Sequence, residues 1–135
     1  MIDLETYLTA SGKYPERATN SELDQTKLDN AGILLGKVNQ LLSDLNIEEI
    51  EVTSGFRPSA VNASLGNASK KSAHMNCKAV DLKDDENHTL WNIIAAKPDL
   101  LRKYGLFLED SASTKGWVHL DDKERDDRPT RVFIP

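Results

Sequence analysis

The chain has 135 residues, 39% hydrophobic and 29% charged, with a formal net charge of -5. That length supports one modest core and not two, and the composition is that of a folded globular chain, neither disordered nor membrane-embedded. An acidic balance without a basic stripe argues against nucleic acid as a partner, and no run approaches the roughly 20 apolar residues of a membrane span.

The single cysteine, Cys77, excludes an internal disulfide, so the fold stands on its core. The first residues carry Asp3 and Glu5 and no apolar stretch, so no signal peptide is expected. The expectation is therefore synthesis in a cytoplasm, with any exit needing outside help.

In chain order, Ile2 to Leu8 reads as a short helix closed by a Gly12/Pro15 break. From about Glu22 to Leu45, apolar residues at Leu28, Ala31, Leu35, Val38, Leu42 and Leu45 alternate steps of three and four. That stripe is one face of an amphipathic helix, with Ser21 and Asp24 as a capping arrangement and Asn46 as the stop. Ile50 to Thr53 alternates as a strand. Ser59 to Ser72, rich in Ser, Asn, Ala and Gly, reads as an irregular binding loop.

Lys78 to Leu82 is the next strand, and Thr89 to Lys97 a helix stopped by Pro98. Tyr104 to Glu109 and Gly116 to Leu120 flank turn chemistry and form a hairpin; Thr130 to Ile134 adds an edge strand. The acidic runs Asp84-Asp85-Glu86 and Asp121-Asp122-Lys123-Glu124 read as solvated loops. The sum is a single α+β domain over 1–135, a small, largely antiparallel sheet with helices packed on one side.

Chemistry concentrates in Ser72-Ala-His74-Met-Asn-Cys77-Lys-Ala-Val-Asp81 and Trp117-Val-His119-Leu-Asp121. Two histidines and a carboxylate suit a catalytic zinc, which leaves its fourth tetrahedral position to water. Each histidine alone is a weak signal, and His88, in an acidic loop, reads as structural.

The strings SGFRPSAVN, SAHMNCKAVDL and GWVHLD resemble peptidase family M15, the zinc D,D-carboxypeptidases and L,D-endopeptidases, whose signature runs S-x-H-x-x-G-x-A-x-D with a second histidine on a later strand. The resemblance covers roughly Glu51 to His119, and the ending GLFLED to RVFIP is similar to short phage-encoded members. It implies a hedgehog/D,D-peptidase-like zinc fold, Zn2+ as cofactor, and His74, Asp81 and His119 as its ligands. The substrates implied are peptide bonds next to D-amino acids in bacterial peptidoglycan stem peptides. Matching also implies Arg57 as the donor to an oxyanion or a substrate carboxylate, its alternative being a structural salt bridge. Ser72 matches the signature serine and is expected to hydrogen-bond within the site.

Two positions depart from the family pattern. Gly116 stands where many members carry a catalytic glutamate, so the acid/base must come from elsewhere. With a hairpin turn centred on Ser113, Phe107 lies opposite His119 and Glu109 opposite Trp117; Glu109 then shares the face of His119 along a diagonal. Glu109 is the preferred acid/base. Asp121 is second, with orientation of a ligand histidine as its other role. Cys77 replaces a glycine, which suggests a differently bent loop and leaves two alternatives, a fourth zinc ligand or a small buried side chain.

The leading reading is thus a zinc peptidase acting at the bacterial cell wall, after release or as part of a virion. The other is an inactive zinc-stabilised module of a phage particle. The expected protein is a monomer, with phage tail or lysis proteins as candidate partners and neither nucleic acid nor membrane among them.

Overall fold

Asp3 opens helix α1 (Leu4–Leu8) by accepting the Thr6 N–H, in a computed structural model that describes residues 1–10, 19–65 and 72–135. The Gly12/Pro15 break lies outside those residues. Helix α2 (Gln25–Asp44) carries the long stripe, widened to Ala31, Leu34, Leu35, Val38, Leu41 and Leu42. Its cap is Asp24, not Ser21: the Asp24 carboxylate takes the Lys27 N–H at 2.9 Å, an ionised acceptor suited to the positive end of the helix. Asn46 ends the segment with a φ of +59°, as residues just beyond a helix commonly do.

Strand β1 (Val52–Ser54) starts two residues later than its pattern suggests. Ser59–Ser64, expected to be irregular, is helix α3. A distant carboxylate makes the difference: Glu22 accepts the Ser59 backbone N–H at 2.8 Å and also its hydroxyl, supplying a cap the local sequence lacks. Ala73–Asn76 then forms a 3-10 turn leading into β2 (Ala79–Lys83). Helix α4 (Thr89–Ala95) ends before Pro98, but Pro98 also opens a further helix, α5 (Pro98–Lys103). A proline tolerated at the first helical position is a start as well as a stop.

Strands β3 (Phe107–Glu109), β4 (Trp117–Asp121) and β5 (Val132–Phe133) complete a five-stranded sheet in the order β1-β2-β4-β3-β5. All neighbours are antiparallel except β3 and β5. The β3–β4 pairing is Phe107 with Asp121 and Leu108 with Leu120, so the hairpin centres on Thr114 and not Ser113. A 3-10 turn at Ser111–Ser113 and a φ of +97° at Gly116 take up the difference. The partner of every residue moves by two, an even step, and no side chain changes face.

Period-two alternation divides the sheet. Val52, Val80, Leu82, Leu108, Val118 and Leu120 join the α2 stripe, Leu101 and Leu106 in the core. Burying each such side chain contributes about 1.5–3 kcal/mol. Asp81, Glu109, His119 and Asp121 alternate with them and take the other face.

Cys77 sits on the core side, fully buried. Its φ of +57° closes the 3-10 turn, so the chain keeps the left-handed turn that a glycine would serve, and needs no different bend. A non-glycine there costs roughly 1 kcal/mol. Burial pushes the thiol up to about 12, against a hydrogen bond to Tyr7 that lowers it.

Candidate metal centre and cleft

Asp81 on β2 and His119 on β4 are direct cross-strand partners. The 3-10 turn just before β2 swings His74 over the same carboxylate. Asp81 Oδ1 lies 3.2 Å from His74 Nε2 and 2.9 Å from His119 Nδ1. The donor atoms of the three residues all lie within 4.8 Å of one another.

The remaining atoms of each residue have fixed partners. His74 Nδ1 lies 2.8 Å from the Gly55 carbonyl; a carbonyl only accepts, so Nδ1 carries a proton and Nε2 is the atom left to face Asp81. Gly55 has no room for a side chain, because a Cβ would come within 1.9 Å of the Tyr7 carbonyl oxygen. The end of α1 thereby fixes the loop that orients His74. Asp81 Oδ2 takes Arg57 at 3.4 Å, leaving Oδ1 to the imidazoles. His119 Nε2 lies 2.8 Å from Asp121 Oδ2.

These contacts set the charges. Burial lowers the His74 pKa, outweighing the attraction of Asp81. His74 Nε2 and Asp81 Oδ1 face each other at 3.2 Å, and both atom types suit a shared zinc-type cation. Burial alone would raise Asp81, but His74 and His119 hold it well below the usual carboxylate range. Burial likewise opposes a charged His119, yet its hydrogen bonds to Asp121 and Asp81 raise it to about 10. Two imidazoles, each with its other nitrogen anchored to an oxygen, and one carboxylate oxygen fit a zinc-type ion.

The group lies in a cleft of about 840 Å³, also lined by Arg57, Ser72, Glu109, Trp117, Lys123 and Arg125. Continuing the β3–β4 register places Glu109 directly opposite His119, closer than the diagonal expected from sequence. Burial raises its carboxyl above the ordinary range, with the nearby His119 opposing. Among the described residues its carboxylate makes no hydrogen bond or ion pair. Arg57 is held by Ser54 Oγ at 3.3 Å and Asn62 Oδ1 at 3.5 Å as well as by Asp81, with N–H donors to spare. Ser72 accepts the His74 backbone N–H at 3.3 Å.

Two residues stand apart from the group. Cys77 faces the helices, and His88 begins α4 with a φ of +55°. The acidic run after His119 is not the solvated loop its composition suggests. Asp121 is fully buried, while the Asp122 side chain is 5% exposed and paired with Lys37 at 3.1 Å; only Lys123 and Glu124 beyond them face water. Asp121 carries Arg125 on both oxygens. Arg125, Lys123 and Phe133 are cleft residues that sequence reasoning missed. The four-residue spacing of Asp121 and Arg125 was the available signal, obscured by the surrounding charges.

An α+β sheet bearing a His–Asp–His group at the floor of a cleft defines a candidate metallohydrolase site. The peptidase M15 family model matches residues 13–121, and the chain belongs to that family. No curated protein and no solved structure gives a significant match. Among the described residues, no helix is long and apolar enough to cross a membrane.

Proposed function

We propose that the protein is a zinc metallopeptidase that hydrolyses peptide bonds in bacterial peptidoglycan stem peptides, as a carboxypeptidase or an endopeptidase. The observation that carries this reading is Glu109, a carboxylate with no hydrogen bond or ion pair among the described residues, opposite His119 on the cleft face. His74 would hold the ion through Nε2, His119 through Nδ1 and Asp81 through Oδ1. A zinc ion held there would supply Lewis acidity, enough to lower the pKa of a water toward about 7 and to polarise a scissile carbonyl.

The rest of the chemistry falls to the chain itself. The Glu109 carboxylate takes the proton of the attacking water and passes it to the leaving amine. Its raised pKa suits both halves of that transfer, and Asp121, occupied on both oxygens, is not free for it. Arg57, anchored on three sides, offers its remaining N–H donors to the oxyanion or to a substrate carboxylate. The cleft volume lies in the range of preformed ligand pockets.

An inactive zinc-stabilised module would be favoured by a closed, four-donor site. Among the described residues the group has three donors, and Cys77 lies on the opposite side of the sheet, which supports an open fourth position.

Incubating the purified chain with cell-wall fragments, with and without chelator, tests the proposal. New amine or D-alanine released only by zinc-replete protein is the expected result. No release by metal-replete protein would refute it.

A further inference from the structure

After Asp121 the chain leaves β4 and re-enters the sheet as β5 beside β3, with Lys123 and Arg125 of the crossing lining the cleft. Arg125 lies on this crossing segment, its side chain 19% exposed. Its guanidinium holds Asp121 through both terminal nitrogens, Nη2 reaching Oδ2 at 3.1 Å. The same guanidinium lies 3.6 Å from the centroid of the Phe133 ring and 5.5 Å from that of Phe107.

Phe107 and Phe133 hold this position by register. Phe107 is the cross-strand partner of Asp121, and Phe133 pairs with Glu109. Phe133 also packs edge-on against the His119 ring, with centroids 5.9 Å apart. The planar fork of an arginine suits such a place, because it grips a carboxylate bidentately while stacking on an aromatic face.

The segment is tied down independently of the cleft. Asp127 bridges Arg102 and Arg131, the Arg131 Nε–H donates to the Leu106 carbonyl at 3.1 Å, and the Arg131 guanidinium covers the other ring, Phe107, at 3.7 Å. Arg125 is therefore delivered to Asp121 by a braced loop, and its contacts run in series: Arg125 to Asp121, Asp121 to His119 Nε2, and His119 Nδ1 to the ligand cluster.

We propose that Arg125 is a positioning residue, which locks Asp121 so that the His119 ring is held with Nε2 toward Asp121 and Nδ1 toward the metal. The inference rests on the zinc-peptidase reading for its consequence, but the held ring is a property of the chain without metal. Arg125 touches no reacting atom and makes its polar connection to His119 through Asp121.

Three measurements on the full chain test this, using R125M, R125K and D121N. In metal-free wild type, the His119 Nε2–H gives a slowly exchanging downfield proton resonance; R125M loses it. Zinc affinity, read by competition with a chromogenic chelator, falls about 10- to 100-fold in R125M, the usual effect of removing such a partner. R125K, with the charge but not the fork, recovers part of that loss. R125M added to D121N weakens binding no further than D121N alone, because the two act in series. At saturating zinc the loss in peptide cleavage falls on kcat and leaves KM unchanged.

An R125M protein that keeps the resonance and binds zinc as wild type does overturns the proposal, as does a loss additive with D121N. A rise in KM alone would reassign Arg125 to substrate binding. If R125M does not fold, R125K decides by the same resonance and affinity. A wild type that shows the resonance but binds no zinc and cleaves nothing refutes the peptidase reading and leaves the held ring standing.

Discussion

The two faces of this sheet are built from the same strands and do opposite things. Toward the helices, Val80, Leu82, Val118, Leu120 and Leu108 are fully excluded from water and interlock with the α2 stripe. Toward the cleft, Asp81, His119, Asp121 and Glu109 crowd carboxylates and imidazoles into a space where burial opposes several of their charges. The first face tolerates exchange among apolar residues of similar volume. The second holds its groups in one arrangement through specific partners, and that arrangement costs stability which the first must supply. Strand residues one step apart thus answer to different demands: Leu120 to packing, His119 to geometry.

That contrast breaks most sharply at the His74, Asp81 and His119 group. His74→Ala, or chelation of the wild type, is expected to abolish zinc binding and cleavage while leaving the far-ultraviolet circular dichroism unchanged, since the core lies on the other face. Loss of the helical signal on chelation would show that the two faces fold as one metal-dependent unit.

Next in size is Glu109→Gln. It should lower kcat about 10²- to 10⁴-fold and change zinc affinity little, because Glu109 faces the group without joining it. A full rate in that variant would remove Glu109 as the acid/base and leave the ligand set intact.

Leu41→Ala reverses the experiment on the helix side. Denaturant unfolding should show a loss of about 2–5 kcal/mol, with kcat unaffected wherever the protein is still folded. A matching fall in kcat would mean that the core transmits strain to the cleft.

Smaller again is Gly116→Glu, which puts a glutamate where many M15 members carry one. The φ of +97° makes any side chain there strained, at roughly 1 kcal/mol. Combined with Glu109→Gln, it is expected not to restore cleavage; recovery would show that the turn adapts. Least of all should happen at Cys77. Buried and pushed up to about 12, its thiol should resist alkylation in native protein and react only on unfolding. Rapid labelling that zinc prevents would return it to the metal site.

Much of this was legible in the residues. The long helix showed in its apolar spacing, the residues of the His74, Asp81 and His119 group in two short motifs, and the face of Glu109 in strand alternation. The alternation proved robust: the hairpin pairing differs by two residues from the expected one, yet an even slip preserves the face. Helix α3 was hidden because its cap comes from Glu22, 37 positions earlier. Helix α5 is hidden because a proline that ends one helix can equally open the next. The burial of Asp121 and Asp122 was hidden because a run of charges looks solvated until its partners, Arg125 and Lys37, are in place.

The division follows from the range of the forces involved. By itself the sequence determined what covalent geometry repeats locally: helical and strand periods, the apolar face of α2, and which residue types could hold a metal. Only the tertiary structure decided which oxygen each imidazole faces, that Tyr7 closes on Gly55, and that the chain after β4 brings Arg125 over Phe133 to grip Asp121. Those contacts depend on where distant segments arrive in space, and no local period carries that information.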